Sequence, residues 1–252
     1  MSEIKEYHVS DDLVVIKTKI EGIKWHHVLT DNTFDKNESE IISSYFKEYD
    51  ELYSEENYIR TTAGKEYKLA GFSGITFFPN TLRWTNIIQD ILDNTHGAKK
   101  FYGNANDHIV VLELVITAPN FNYKWHTDVE RKAFTGVCYW GDKGEGTILR
   151  SKDTNKIVSW KHNRALWFSN YDRNSNIDKE LQPWHKYENN SDNARTTVNI
   201  NFTPQNHIHE FLNQKKDQLQ YWLINKRPLW VPMFSGDTVN EMRKNERILN
   251  RK

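Results

Sequence analysis

The stretch from Ile109 to Glu130 reads IVVLELVITAPNFNYKWHTDVE and sets the expectations for the rest of the chain. It begins with a near-continuous apolar run, Ile109–Thr117, which is typical of a strand buried on both faces. It ends in KWHTDVE, which places His126 and Asp128 two positions apart. Because residues two apart on a strand share one face of a sheet, we expect these two side chains to point to the same place.

Short strand-like segments continue after this stretch at regular spacing, a pattern that predicts a β-sandwich or barrel. We expect strands at Phe134–Trp140, Thr147–Arg150, Ile157–Trp160, Ala165–Ser169, Trp184–Tyr187 and Thr196–Phe202. Two earlier strands are expected at Leu13–Ile20 and Gly71–Phe78.

Helical periodicity flanks this β region on both sides. Amphipathic helices are predicted at Asn37–Tyr53, Leu82–Leu92 and Ile208–Trp222, and Asn37 with Glu40 forms a plausible capping box for the first. We therefore expect a single domain, 1–252. Its N-terminal support would cover 1–108, its β-core about 109–203 and its C-terminal helical extension 204–252.

Composition narrows the classes of partner. The chain of 252 residues has 34 basic and 34 acidic side chains, and its only basic cluster is the tail from Arg243 to Lys252, so nucleic acid is disfavoured as a partner. The single cysteine, Cys138, excludes an internal disulfide and favours a reducing compartment. No apolar run resembles a signal peptide or a membrane span, so we expect a cytoplasmic protein without membrane contact. The oligomeric state is not indicated.

A second histidine and an arginine complete a pattern with His126 and Asp128. His185 lies far along the chain in QPWHKYE, and Arg195 follows it in NARTTVNINF, at the head of a predicted strand. Two imidazoles and one carboxylate can occupy one face of an iron octahedron and leave three positions open, as non-haem Fe(II) oxygenases require.

The order of these motifs resembles that of the Fe(II)/2-oxoglutarate-dependent dioxygenases, in particular the prolyl-hydroxylase-like branch. The resemblance covers roughly a third of the chain, Tyr123–Phe202. The matched pieces are Tyr123/His126/Asp128, Gly144/Gly146/Thr147, Trp184/His185 and Arg195/Thr197. It implies a mainly β fold, with a double-stranded β-helix (jelly-roll) core and N-terminal and C-terminal helices packed on it.

The resemblance also implies roles for individual residues. His126, Asp128 and His185 would bind Fe(II), and Arg195 would form a fork with the distal carboxylate of the cosubstrate 2-oxoglutarate. Thr197 would add a hydroxyl to that carboxylate, and Tyr123 a phenol contact. The implied reaction consumes O2, releases succinate and CO2, and hydroxylates an unactivated C–H bond, with ascorbate as an optional supporting reductant.

Substrate identity stays open in the sequence. A second arginine six residues after the first is typical of relatives that act on nucleic acids, and this chain has Asn201 there. A peptidyl side chain and an amino-acid-like small molecule both remain. Two alternatives to this activity are a non-catalytic jelly-roll binding module and a cupin-like metal protein that does not use 2-oxoglutarate. Arg195 and Thr197 argue against the latter, because it needs no dicarboxylate clamp.

Overall fold

The structure is a computed structural model that describes residues 5–8, 13–17, 20–52, 58–62, 64–76, 81–104, 108–128, 132–171, 176–204 and 207–249. Its strands are β1 Lys5–His8, β2 Val14–Lys17, β3 Val28–Asp31, β4 Ile59–Thr62, β5 Lys65–Lys68, β6 Gly71–Ile75, β7 His108–Thr117, β8 Asn122–His126, β9 Phe134–Trp140, β10 Ile148–Ser151, β11 Thr154–Ile157, β12 Ala165–Ser169, β13 Trp184–Glu188, β14 Arg195–Pro204 and β15 Val231–Met233. Its helices are α1 Lys36–Leu52, α2 Thr85–Asn94, α3 Ala98–Tyr102, α4 Ile208–Asn225 and α5 Gly236–Leu249.

The eight strands β7 to β14 form a jelly roll. One sheet contains the order β12-β9-β14-β7, and the facing sheet has the order β11-β10-β13-β8. The chain alternates between the two sheets as it passes from β7 to β10 and again from β11 to β14, and every strand pair is antiparallel. Two four-stranded sheets connected in this way are the double-stranded β-helix, so the fold class predicted from the sequence is confirmed.

The larger sheet extends beyond the jelly roll on both sides. Strands β3, β2 and β1 continue it past β12, and β6 and β15 continue it past β7, giving nine strands. Strands β4 and β5 form a separate hairpin. Within the described residues, none of the helices has both the length and the apolar character that a membrane crossing requires.

Alternation along the central strands separates the main core from the barrel interior. On β14, Val198, Ile200 and Phe202 face outward and pack with α1 and α2 in the largest apolar cluster. The alternate residues Arg195, Thr197 and Asn199 face the barrel interior and line a cavity there. One sheet therefore has an apolar outer face that supports the fold and a polar inner face that is available for function.

Several local expectations are wrong. The strand expected at Ile157–Trp160 instead occupies Thr154–Ile157, because Lys152 adopts φ +53° and a tight turn lets pairing with β10 begin at Ser151 and Thr154. The capping box of α1 is two residues earlier than expected. It is formed by Asp35 and Glu38, whose side chains each accept a hydrogen bond from the other's backbone N–H.

Gly136 on β9 makes room for a buried ring. A Cβ at this position would lie 2.7 Å from the Trp167 indole, whose Nε1 donates to Thr30 Oγ1 at 2.8 Å. We expect Gly136→Ala to destabilise the protein by about 1–3 kcal/mol, because overpacking forces either the indole or the backbone to shift. Urea unfolding is the measurement, and Gly236→Ala, where a Cβ meets nothing within 4 Å, is the control that should not be destabilised.

A buried ion pair ties β3 to the loop before β12. The Asp31 carboxylate accepts hydrogen bonds from Arg164 Nε at 2.7 Å and Nη2 at 3.1 Å, and from Lys161 Nζ at 2.6 Å. Burial opposes ionisation of Asp31, but the two cations outweigh burial and lower its pKa. Because the folded-state pKa is depressed, this stabilisation is present above the unfolded-state pKa and is lost as pH falls through the folded-state pKa.

We expect Asp31→Asn to lower the free energy of unfolding by about 1.5–3 kcal/mol at pH 7, as for other charged hydrogen bonds. The difference from wild type should shrink steadily in acid, and unfolding at a series of pH values measures it. Asp93→Asn, which removes the exposed ion pair with Lys99, is the matched control and should have no measurable effect. A difference that persists unchanged at pH 2–3 would contradict this account.

Candidate active site

Three side chains converge between the two sheets of the jelly roll. His126 is the last residue of β8, and it pairs in register with His185 on β13. Their ring centroids are 4.2 Å apart. Asp128 lies two residues beyond the end of β8, so the expectation that it shares a strand with His126 is wrong. Its Oδ1 nevertheless lies 4.0 Å from His126 Nε2, and the three ligand atoms lie within 4.8 Å of one another.

Backbone carbonyls fix the tautomers of both imidazoles. His126 Nδ1 lies 2.9 Å from the carbonyl oxygen of Lys124, and His185 Nδ1 lies 2.9 Å from that of Pro183. A carbonyl only accepts, so each Nδ1 carries a proton and donates it, and each Nε2 is the ring nitrogen left to face a metal. This arrangement of a second hydrogen-bond partner is the one that orients metal-binding histidines.

The third donor is a carboxylate. Thr135 Oγ1 donates to Asp128 Oδ2 at 2.7 Å, and Lys132 Nζ lies 3.9 Å from Oδ1. Burial would raise the pKa of Asp128, but Lys132, His185 and the Thr135 hydroxyl outweigh it and lower the pKa to about 2. Burial also lowers the pKa of His185 to about 4, against the pull of Asp128. At neutral pH the site thus offers an ionised carboxylate and a neutral His185.

Arg195 is a buried cation on the same inner face. It begins β14 opposite Thr117, is 2% exposed, and stacks on Tyr187 at 4.7 Å. Its Nε donates to the carbonyl of Glu145 at 2.8 Å, but among the described residues its buried Nη2 has no partner. A buried guanidinium nitrogen without an acceptor is costly, so this position is suited to an incoming anion.

All six residues that the sequence singled out line one cavity of about 520 Å³: Tyr123, His126, Asp128, His185, Arg195 and Thr197. Tyr123 is 38% exposed and lies between the two parts of the site, with its ring 4.6 Å from that of His126 and stacked on Tyr187. Thr197 is fully buried, opposite Tyr139 on β9 and Val115 on β7.

Part of the wall around Arg195 was not predicted from the sequence. Tyr187, whose position two residues after His185 in one strand was the available signal, also lines the cavity. Tyr139 contributes as well, since its ring centroid lies 5.9 Å from the Arg195 guanidinium and its hydroxyl accepts from the Thr147 N–H at 3.0 Å. Glycine is required at Gly146, because a Cβ there would lie 1.7 Å from the carbonyl oxygen of Val158.

Within the described part of the chain, His126, Asp128 and His185 form the only group of three or more His, Cys, Asp or Glu side chains close enough to share a metal ion. The superficially cupin-like run of His207, His209 and Glu210 is not part of that group, and His207 Nδ1 lies 3.8 Å from a Glu210 carboxylate oxygen at the start of α4.

Comparison with known proteins finds similarity only at the level of structure. No family model matches the sequence, and no curated protein matches it. Solved structures similar to this chain include prolyl hydroxylases. A prolyl-4-hydroxylase from Pseudomonas putida is 9% identical, with a TM-score of 0.42 over 71% of this chain and 92% of that one.

Two further similar structures have the same general description. The viral collagen prolyl hydroxylase of Paramecium bursaria Chlorella virus 1, solved with 2-oxoglutarate, is 12% identical, with a TM-score of 0.43 over 74% of this chain and 99% of that one. A prolyl hydroxylase from Trichoplax adhaerens, solved with a peptide of hypoxia-inducible factor, is 9% identical, with a TM-score of 0.41 over 71% and 84%. The assignment of an activity to this chain therefore rests on the side chains of its cavity.

The three converging side chains predict a metal-binding defect on substitution. We expect Asp128→Ala to abolish stoichiometric Fe(II) binding, because it removes the one carboxylate donor and leaves only two imidazoles. Anaerobic calorimetric titration with Fe(II) measures this loss. Asp153→Ala, in the exposed turn between β10 and β11, is the control that should bind like wild type. Equal affinity in Asp128→Ala and wild type would show that the metal is bound elsewhere.

Proposed function

We propose that the protein is an Fe(II)- and 2-oxoglutarate-dependent dioxygenase that hydroxylates an unactivated C–H bond of a peptidyl or amino-acid-like substrate. The observation that carries this proposal is the presence, in one cavity, of a two-histidine, one-carboxylate group and a buried guanidinium with an unpartnered Nη2. The metal-binding group or the guanidinium alone is compatible with other functions. A ligand that chelates iron at one end and carries a carboxylate at the other requires both.

The donor set suits Fe(II). His126 and His185 would contribute Nε2, and Asp128 would contribute a carboxylate oxygen, which is the facial arrangement that leaves positions open for a cosubstrate and O2. Thr135, Lys124 and Pro183 would hold these three ligands in place through the hydrogen bonds described above. Iron, when bound, would supply the activation of dioxygen.

The other end of the cavity suits the distal carboxylate of 2-oxoglutarate. Arg195 would offer its guanidinium as a fork, with Thr197 adding a hydroxyl and Tyr123 a phenol. Because Tyr187 and Tyr139 cover the guanidinium with their rings, water would be excluded from this ion pair. A dry environment strengthens the attraction, and the rigid strand β14 would set its distance from the metal ligands.

The proposed reaction balances without another reactant. One atom of O2 would become the hydroxyl oxygen of the product, the other would enter succinate, and the carboxylate next to the keto group of 2-oxoglutarate would leave as CO2. The chain itself would bind, orient and shield the reactants. Asp128 as a ligand favours hydroxylation over halogenation, which needs a small residue there to free a site for chloride.

A cupin-like enzyme without 2-oxoglutarate would leave Arg195 unexplained. Among the described residues, Arg195 donates a hydrogen bond to the Glu145 carbonyl and forms no ion pair with Asp or Glu. Burying a cation without an anion is unfavourable unless a ligand supplies the missing charge. A non-catalytic module would retain the fold but would not need three preoriented donors.

We expect Arg195→Ala to weaken 2-oxoglutarate binding by about 10- to 100-fold, because a charge-assisted fork is lost. Arg195→Lys should recover part of the loss, since a single ammonium replaces the charge but not the planar geometry. Arg150→Ala, which removes a guanidinium stacked on Trp125 outside this cavity, is the matched control. Unchanged affinity for 2-oxoglutarate in Arg195→Ala would contradict the proposed role of Arg195 as the carboxylate clamp.

The deciding experiment for the whole proposal is an anaerobic titration of the Fe(II)-loaded protein with 2-oxoglutarate. We expect the visible metal-to-ligand charge-transfer band of a chelated keto acid, absent from His126→Ala and present in the control His209→Ala, which changes an exposed histidine on α4. Folded protein that binds Fe(II) but shows no band would favour the cupin-like alternative, and folded protein that binds no metal would favour the binding module.

A further inference from the structure

The cavity wall extends from Arg195 along the inner face of β14 and across the sheet to β7. Glu113 lines this part and is the only Asp, Glu, Lys or Arg in the ten residues of β7. It lies opposite Asn199 of β14, which in turn lies opposite Val137 of β9. Two strand spacings of about 4.8 Å place Glu113 about 10 Å across the sheet from β9, which also carries Thr135, the partner of Asp128.

The Glu113 carboxylate is ionised although its side chain is only 15% exposed. Burial works against ionisation, but Lys215 and Lys132 lower its pKa. Lys215 Nζ of α4 donates to one oxygen at 2.9 Å, and Asn201 Nδ2 donates to the other at 3.3 Å. The Ser73 hydroxyl is a third donor that lowers the pKa of Glu113. Since a carboxylate has about four acceptor sites, these three donors leave capacity for one more.

Asn201 adds a second, independent sign that a donor is missing. It is 4% exposed, and because its amide nitrogen faces the acceptor Glu113, its Oδ1 is left buried, with no partner among the described residues. A carboxylate and an unpartnered amide oxygen side by side form an acceptor-rich cluster. A group that brings several N–H donors and a positive charge would satisfy both.

A purely structural role is the competing explanation. Glu113 and Lys215 connect β7 to α4, but α4 is already held by apolar contacts of Leu219 with Ile75 and Val111, and by the hydrogen bond of Gln218 to the Ser73 carbonyl. Helix packing at such a place does not require a buried ion pair, which apolar residues often replace without loss of stability. The position of Glu113 in the cavity wall is therefore what needs an explanation.

We propose that Glu113, positioned by Lys215 and Asn201, determines substrate specificity, and that the substrate carries a cationic nitrogen, an ammonium or a guanidinium, which Glu113 binds while the reacting C–H bond lies at the metal. This inference rests on the proposed function and narrows its substrate class. The Glu113 carboxylate and the Arg195 clamp are well separated, since Arg195 and Asn199, the residue opposite Glu113, are about 13 Å apart along β14. Glu113, which would bind a cation, and Arg195, which would bind an anion, therefore do not compete for one ligand.

The test compares cationic compounds with neutral compounds of nearly the same shape. The Fe(II)-loaded protein with 2-oxoglutarate and O2 receives Nα-acetyl-lysine methylamide or its norleucine counterpart, and Nα-acetyl-arginine methylamide or its citrulline counterpart. Free lysine and free norleucine form another pair, which distinguishes a side-chain cation from an α-ammonium. Succinate release above the rate without added compound is measured, together with a mass gain of one oxygen in the compound.

We expect at least one cationic compound to exceed its neutral counterpart by about 10- to 100-fold in kcat/KM, the range of a charged hydrogen bond. If free lysine and free norleucine are equally good and the acetylated compounds are inactive, the α-ammonium is the recognised group. Glu113→Gln should reduce the preference for the cation to near unity through a higher KM, and Glu113→Asp should restore part of it. Glu48→Gln, which removes the carboxylate of the Arg227 ion pair far from this cavity, should leave the preference unchanged.

Stimulation that is equal for the acetylated cationic compounds and their acetylated neutral counterparts, or no stimulation by any cationic compound, would overturn the inference. A preference that survives in Glu113→Gln would overturn the assignment of that residue. If Glu113→Gln does not fold, the comparison in wild type and the Glu113→Asp variant still decide. The charge-transfer band with 2-oxoglutarate is recorded in the same samples. Its presence without a cation preference rejects only this inference, whereas its absence rejects the proposed function.

Discussion

The ten-residue register between β7 and β14 is the constraint on which the rest of the molecule depends. It pairs Arg195 with Thr117 at one end and Pro204 with His108 at the other. A slip by one residue would turn every inward side chain of β14 outward, because side chains alternate along a strand. Arg195 and Asn199 would then enter the apolar core beneath α1 and α2, and Val198 and Ile200 would enter the cavity. The large penalty for that exchange fixes the register, and the register fixes the site.

The site differs from the core in the hydrogen bonds that it leaves incomplete. Most buried polar groups nearby are paired, such as Thr135 with Asp128 and the two imidazoles with backbone carbonyls. The buried groups without a partner among the described residues include Nη2 of Arg195, a donor, and Oδ1 of Asn201, an acceptor. The two have opposite hydrogen-bonding requirements and lie six residues apart on the inner face of β14. A cavity with an anionic cosubstrate at one end and a cationic substrate at the other would satisfy both.

The C-terminal elements contribute to this arrangement, although no motif in their sequence indicates it. Helix α4 supplies Lys215 to the ion pair with Glu113, and Met233 of β15 lines the same cavity. The adjoining residues Ser235, Gly236 and Asp237 line a second cavity of about 360 Å³ that shares Tyr123 and His126 with the first. The jelly roll would provide the metal ligands and the clamp, while the segment after it lines the space in which a substrate would lie.

The sequence by itself determined the elements whose signals are local. The alternation and spacing of short strands predicted the β-core, and helical periodicity predicted α1, α2 and α4. The motif order that contains His126, Asp128, His185 and Arg195 predicted six site residues in all, and these six line one cavity. Local signals failed where a competing local interaction won, as with the turn at Lys152 and the cap at Asp35. They carried no information on the roles of Tyr139, Glu113 or Asn201, because these residues reach the site only through pairing between distant strands and through α4. In the sequence, Glu113 is a charged residue within an otherwise apolar strand. Only the tertiary structure shows that it faces a cavity, because its burial, its register and the cation beside it depend on segments far away in the chain.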